Sequence, residues 1–324
     1  MVRSTVDDLL FDESTNEALR NELPEAVVSF LEVATHLGDG VTLIVFGTLL
    51  YWFGGEDDQR KRALVIGIGL GALALSAGMK GIFAAPRPEL AFTPAEYPGY
   101  SFPSAHALGA AAFYGGLAAV ADTGSRFQRY LLAGVVIFLV AFSRLVMGVH
   151  YLGDVVVGVV VGLAFVAVVV RSPDPEPGTL FALSGAIAVL AFLLGSTYFV
   201  TLTIGASIGA LIGWRYTTVR PSNARGASLL VLGYLLIPPL IVLRWWSPSL
   251  PGRSDIAFLG YGADVVGTGV EIVGYAIATA VILAVPVIGA RANDWPQVVW
   301  LQETLPFRGR RLDPEQVEEY WTEE

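Results

Sequence analysis

Apolar stretches of about 16 residues or more recur along the chain, each of bilayer-spanning length or close to it. Nine spans follow from them, at roughly 38–54, 63–84, 104–121, 130–149, 152–170, 179–194, 197–214, 227–244 and 265–288. The predicted class is all-α, a polytopic transmembrane helix bundle. Only 15% of the 324 residues are charged, against about 25% in soluble domains. That argues against a soluble enzyme and against a nucleic-acid binder.

The sixth and seventh spans form one apolar run, divided here at Gly195-Ser196-Thr197. A single helix of about 36 residues would be near 54 Å long, well beyond a hydrocarbon core of about 30 Å. Pro238 and Pro239 predict a kink in the eighth span. Residues 25–37 place Val27, Phe30, Leu31, Ala34 and Leu37 at helical spacing, which predicts a short amphipathic helix on the membrane surface. Residues 1–24 are polar and acidic, without the apolar core behind a basic start that a secretory signal has.

With the Arg60-Lys61-Arg62 loop in the cytoplasm, 13 of the 20 basic residues fall inside. The positive-inside rule then gives an outer N-terminus and a cytoplasmic C-terminus. The 29 acidic residues and the presence of only two lysines, Lys61 and Lys80, suit a high-salt cytoplasm and point to a halophilic, archaeal source. No cysteine is present, so disulfides, thiolate metal sites and cysteine nucleophiles are excluded. Histidine chemistry must draw on His36, His106 or His150.

Three segments on the predicted outer side carry polar groups at membrane depth. Lys80 and Arg87 are seven residues apart, two turns along one face if the helix runs that far, with Pro86 and Pro88 to stop it. Charge at that depth must face protein or water; simple snorkelling is the plainer reading. Ser104 is placed as a helix N-cap, and the amides of Ala105 and His106 then point outward with the positive end of the helix dipole, a ready anion site. Ser143-Arg144 precedes His150 and Asp154, which share a face on a continuous helix. A carboxylate on Nδ1–H would leave Nε2 as nucleophile or base.

Taken together, Lys80, Arg87 and Arg144 supply up to three positive charges, and Ser104 with the nearby amides supplies neutral donors. That describes a pocket for a tetrahedral dianion, and phosphoryl transfer needs little more than such positioning. Two histidines divide the roles of nucleophile and acid; spacing alone leaves open which is which.

Lys80-x6-Arg87-Pro88, Pro103-Ser104-Ala105-His106 and Ser143-Arg144-x5-His150-x3-Asp154 resemble the three-part signature of the phosphatidic acid phosphatase type 2 superfamily. The resemblance covers roughly residues 35–170, with one departure: Ala105 stands where the family usually has Gly. It implies that His150 attacks phosphorus to form a phosphohistidine, that Asp154 orients it, and that His106 protonates the leaving group. Lys80, Arg87, Ser104, Ala105 and Arg144 would bind the phosphoryl oxygens, with no metal or other cofactor.

The expected function is therefore hydrolysis of a lipid phosphate or diphosphate, isoprenoid or phosphatidic-acid-like, by a multi-pass protein of the cell membrane with its site at the outer face. Its partners are that substrate and membrane lipids, not nucleic acid. Transfer of the phosphoryl group to an alcohol is an alternative, as is a transporter or scaffold with a vestigial site. The expected organisation is an acidic N-terminal segment (1–37), a catalytic core (38–175), additional spans (176–290) and a cytoplasmic tail (291–324). Outside the signature, His36 is read as interfacial or structural. Glu271, within the last span, is read as a member of an interhelical salt bridge, a protonated glutamic acid or a second polar site for a lipid head group, with Asp264 and Arg244 as candidate partners. Gly205, Gly209 and Gly213, like Gly67 and Gly71, form small-residue stripes suited to close helix packing in lipid.

Overall fold

A computed structural model describes residues 10–54, 59–90, 99–194, 199–219, 222–246 and 265–304. Among these the chain is helical, without strands: α1 (Ser14–Glu22), α2 (Glu25–Ala34), a 3₁₀ turn (Thr35–Gly38), α3 (Gly40–Phe53), α4 (Gln59–Phe83), α5 (Ala105–Val120), α6 (Arg126–Val146), α7 (Leu152–Arg171), α8 (Pro177–Leu193), α9 (Val200–Val219), α10 (Gly226–Trp246), α11 (Val265–Ala292) and α12 (Pro296–Thr304). Helices α3 to α11 stand at the nine expected spans. The break between the sixth and seventh lies outside the described residues, but α8 and α9 flank it as separate helices.

Length and composition qualify α4, α6, α7 and Thr268–Ala292 of α11 to cross a bilayer. A further candidate is the pair α2–3₁₀ turn and α3, bent by 56° at its break. Helices α5 and α8 and the stretch Gly226–Leu236 are apolar but shorter. The protein is a multi-pass membrane helix bundle.

Composition explains the centre of the bundle. Helix α5 reads AHALGAAAFYGGLAAV, and its Ala107, Leu108, Ala110, Ala111 and Ala112 are fully buried. Small side chains let α4, α6 and α7 close around it. Contact is tightest along α7, where a Cβ at Gly158 would lie 2.9 Å from the Ser104 carbonyl oxygen and one at Gly162 2.6 Å from that of Leu108. Helix α8 packs on α4 and α9, and α9 packs on α11. Trp52 of α3 joins the two halves by donating to Ile282 O at 2.7 Å.

Helix ends follow local chemistry. Ser125 and Gln128 form a capping box at the start of α6. Glu176 accepts from Thr179 N at the start of α8, with Pro177 in its first turn. Helix α2 buries Val28 and Leu31 against α6 residues including Val146, leaving Val27, Phe30 and Val33 exposed. The expected apolar face is thus split: part packs on protein, and the opposite part remains available to lipid.

Candidate functional site

Each signature segment reaches the site by a different local device. Lys80 lies in the last turn of α4 and is buried. The helix stops at Phe83, where Ala84 takes φ 44° and its N–H donates to Lys80 O at 3.0 Å. Lys80 and Arg87 therefore do not share a helical face; an irregular segment beginning at Ala84 carries Arg87 back over the site. Lys80 donates to the carbonyls of Tyr100 and, at 3.2 Å, Ser101. Arg87 donates to Gly99 O at 3.0 Å and Val149 O at 2.7 Å.

Ser104 caps α5, its buried Oγ accepting from Ala107 N at 3.5 Å. The amides of Ala105 and His106 thus open the helix at the site, as capping predicts. Ser104 N donates to Asp154 O at 3.0 Å, which joins the second and third segments through backbone.

His150 precedes α7 rather than lying on it, and Tyr151 is the N-cap. Asp154 folds back as the third helical residue, so its carboxylate accepts from Tyr151 N at 2.9 Å. The same oxygen, Oδ2, lies 3.3 Å from His150 Nδ1 and accepts from Ser101 Oγ. His150 and Asp154 meet through a helix-capping geometry, not through one continuous helical face. Arg87 Nη1 sits 3.2 Å from His150 Nε2. Guanidinium only donates, so Nε2 presents its lone pair and Nδ1 carries the proton toward Asp154. The tautomer is set from both ends of the ring. Burial, and then Arg87, Arg144, Lys80 and His106, hold the His150 pKa well below the usual histidine value, so the ring is neutral near pH 7.

Arg144 is buried and donates to Thr35 Oγ1 at 2.6 Å. His106 Nε2 lies 2.6 Å from Asp39 Oδ1, and Asp39 Oδ2 lies 2.6 Å from His36 Nδ1. Burial pushes the Asp39 carboxyl up, but hydrogen bonds from His106 and His36 outweigh it and hold the pKa at about 2.

Sequence reasoning singled out Lys80, Arg87, Ser104, Ala105, His106, Arg144, His150 and Asp154, and the fold brings them to one end of the bundle. It did not single out Ser101, Thr35, Asp39 or Asn16. Asn16, fully buried on α1, donates from Nδ2 to Leu145 O at 2.8 Å and His150 O at 3.0 Å, clamping the turn that carries His150. Glu13 accepts from Glu89 N at 2.8 Å and from Tyr151 OH at 3.4 Å. His36 is solvent-exposed and partners Asp39. Away from the site, Glu271 accepts from Thr201 Oγ1 at 2.9 Å, an interhelical contact between α9 and α11. Asp264 lies outside the described residues, as does the Arg244 side chain.

The arrangement sets a neutral imidazole among cations, beside a helix N-terminus, with a second histidine on its own carboxylate. It can bind a tetrahedral dianion, attack it and protonate what departs. Comparison with protein families matches residues 60–176 to the PAP2 superfamily. Among solved structures, the first transmembrane PAP2-type phosphatidylglycerolphosphate phosphatase from Bacillus subtilis matches with 24% identity and a TM-score of 0.42, over 52% of this chain and 83% of that one. Comparison with curated proteins gives no match.

Proposed function

We propose that this multi-pass membrane protein, with its PAP2-superfamily region at residues 60–176, hydrolyses the phosphomonoester or diphosphate of a lipid through a phosphohistidine on His150. The observation that carries the reading is the state of His150. Its Nδ1 faces Asp154, its Nε2 faces Arg87, and Lys80 and Arg144 lie close enough to bias its charge.

In the first step Nε2 attacks phosphorus while Lys80, Arg87, Arg144 and the α5 amides neutralise the equatorial oxygens. His106 protonates the leaving oxygen. In the second step water attacks phosphorus, His106 accepts a proton from it, and inorganic phosphate departs. The chemistry is carried by protein groups alone.

A lipid substrate fits a pocket at one end of a membrane bundle, where head groups lie. The opposite end holds the paired loop cations Arg60, 2.5 Å from Asp174, and Lys61, bonded to Asp122. The positive-inside rule supports an outer-face site and an outer N-terminus.

The test is phosphate release from a panel of lipid mono- and diphosphates by detergent-solubilised protein. His150→Ala is expected to lose roughly 10⁴-fold or more, while Arg60→Gln at the far end keeps wild-type turnover. Acid-labile, base-stable labelling of the wild type by ³²P-substrate, absent in His150→Ala, identifies the phosphohistidine. Undiminished turnover in His150→Ala refutes the assignment.

A further inference from the structure

The proposed reaction needs its two histidines in opposite protonation states: His150 neutral to attack, His106 charged to donate. The pocket favours only the first. His106 is largely buried, with the guanidinium groups of Arg144 of α6 and Arg87 near its ring. Among the described residues, the carboxylate that meets this ring is Asp39, with Oδ1 2.6 Å from His106 Nε2.

Asp39 is also an anomaly of local structure. It is the N-cap of α3, where an Asp side chain ordinarily accepts from the first-turn amides, a contact worth about 1 kcal/mol. Here it makes no such bond. Both its oxygens go to imidazoles instead, at 2.6 Å each. The turn that presents it is anchored to the signature at other points. Thr35 Oγ1 accepts from Arg144 and Leu37 O accepts from Tyr114 OH at 2.9 Å. Gly38 lies so close to α5 that a Cβ there would come within 3.3 Å of His106 Cβ. Side-chain exposure rises along the row, from 16% at His106 through 35% at Asp39 to 68% at His36, so the pair opens outward to solvent.

We propose that Asp39 is the positioning residue that lets His106 become an imidazolium when a phosphate dianion fills the pocket, with His36 anchoring its second oxygen. This deepens, and rests on, the phosphoryl-transfer reading above. Asp39 holds Nε2–H, so Nδ1–H serves the leaving group. As the His150 Nε2–P bond forms and the P–O bond breaks, the Nδ1 proton passes to the departing oxygen. As water forms the new O–P bond and the N–P bond breaks, Nδ1 regains a proton from that water. Asp39 stays a carboxylate throughout. The molecule thus has two His–Asp couples with opposite tasks: one buried, on Nδ1, for the nucleophile; one half-exposed, on Nε2, for the acid.

The test compares an alkyl lipid phosphate, whose alkoxide leaves poorly, with p-nitrophenyl phosphate, whose phenolate leaves unaided. Asp39→Asn is expected to lower kcat roughly 10²-fold on the alkyl substrate and no more than about 3-fold on the aryl one, with KM little changed. Asp39→Glu, which keeps the charge, is expected to recover part of the alkyl rate. In a His106→Ala background Asp39→Asn is expected to add nothing. Equal losses on both substrates, or losses that add to those of His106→Ala, overturn the proposal. Should Asp39→Asn fail to fold, His36→Gln reads the same split at about 3- to 10-fold, and no split there overturns it. His150→Ala separates the two levels: if it is inactive while Asp39→Asn is even-handed, this inference falls and the phosphatase reading stands. If it is active, the phosphatase reading falls.

Discussion

The α5–α7 pair and the α9–α11 pair are built by one packing device and differ in what it delivers. In both, small residues four apart bring one helix onto the backbone of another. Gly158 and Gly162 face the carbonyls of Ser104 and Leu108; Gly205, Gly209 and Gly213 face those of Ile272, Ala276 and Ala280. In the first pair the contact begins at Ser104 itself, so the close approach sets the N-terminus of α5 beside Asp154 and His150. In the second, the polar content at the contact includes the Thr201–Glu271 hydrogen bond, which touches neither histidine of the site. Close packing supplies distance; chemistry arises where a helix terminus and a capping carboxylate coincide with it.

The comparison is broken most sharply at its carboxylates. Asp154→Asn is expected to lower phosphate release by roughly 10²- to 10⁴-fold, because His150 loses the partner that fixes its tautomer. Initial rates at saturating substrate read this. Next comes Arg87→Gln, with a loss of about 10- to 100-fold and a displaced pH profile. In the wild type, burial and then Arg87 keep His150 neutral well below pH 6.5, so the proposed nucleophile stays competent there. Removing the guanidinium lets its pKa rise, and the acid limb of kcat/KM is expected to move upward. Linkage gives stability the complementary sign. Below about pH 6.5 the unfolded chain takes a proton that folded His150 refuses, so stability falls as pH drops through that range and is unaffected above it.

A smaller contrast sharpens the role of packing. Gly162→Leu and Gly209→Leu each overfill a seam at a cost of about 1–3 kcal/mol, read as lower thermal midpoints. Only the first is expected to reduce turnover, since it displaces α7 from Ser104. Equal loss of turnover in both would erase the distinction between the pairs. The smallest effect is expected for Glu271→Gln, which keeps a hydrogen bond to Thr201: turnover within about 2-fold and stability within about 1 kcal/mol.

Hydropathy made the helices readable from sequence, because each span must satisfy its backbone internally and shows its apolar length directly. The signature residues were readable because each lies within a short local pattern. Asp39, Thr35 and Asn16 were not, because their roles exist only in contacts between remote stretches: His106 with Asp39 at a separation of 67 residues, Arg144 with Thr35 at 109, Leu145 with Asn16 at 129. Nothing in the local pattern around Asp39 announces His106: an Asp before an apolar run reads as a cap, and of its two imidazole partners only His36 lies in the local stretch. Ser101 was hidden differently, within an irregular segment whose periodicity carries no signal. The condition on which Lys80 and Arg87 would share a face is not met, because α4 ends at Phe83, before Arg87, and the prolines act downstream of the stop at Ala84.

Asp154 Oδ2 gathers the Tyr151 amide, the Ser101 hydroxyl and the His150 ring. One atom therefore starts a helix, tethers a loop and steadies the imidazole proposed as nucleophile. Whatever frays the opening turn of α7 also frees His150 from its carboxylate, so the start of that helix and the setting of the imidazole stand or fall together.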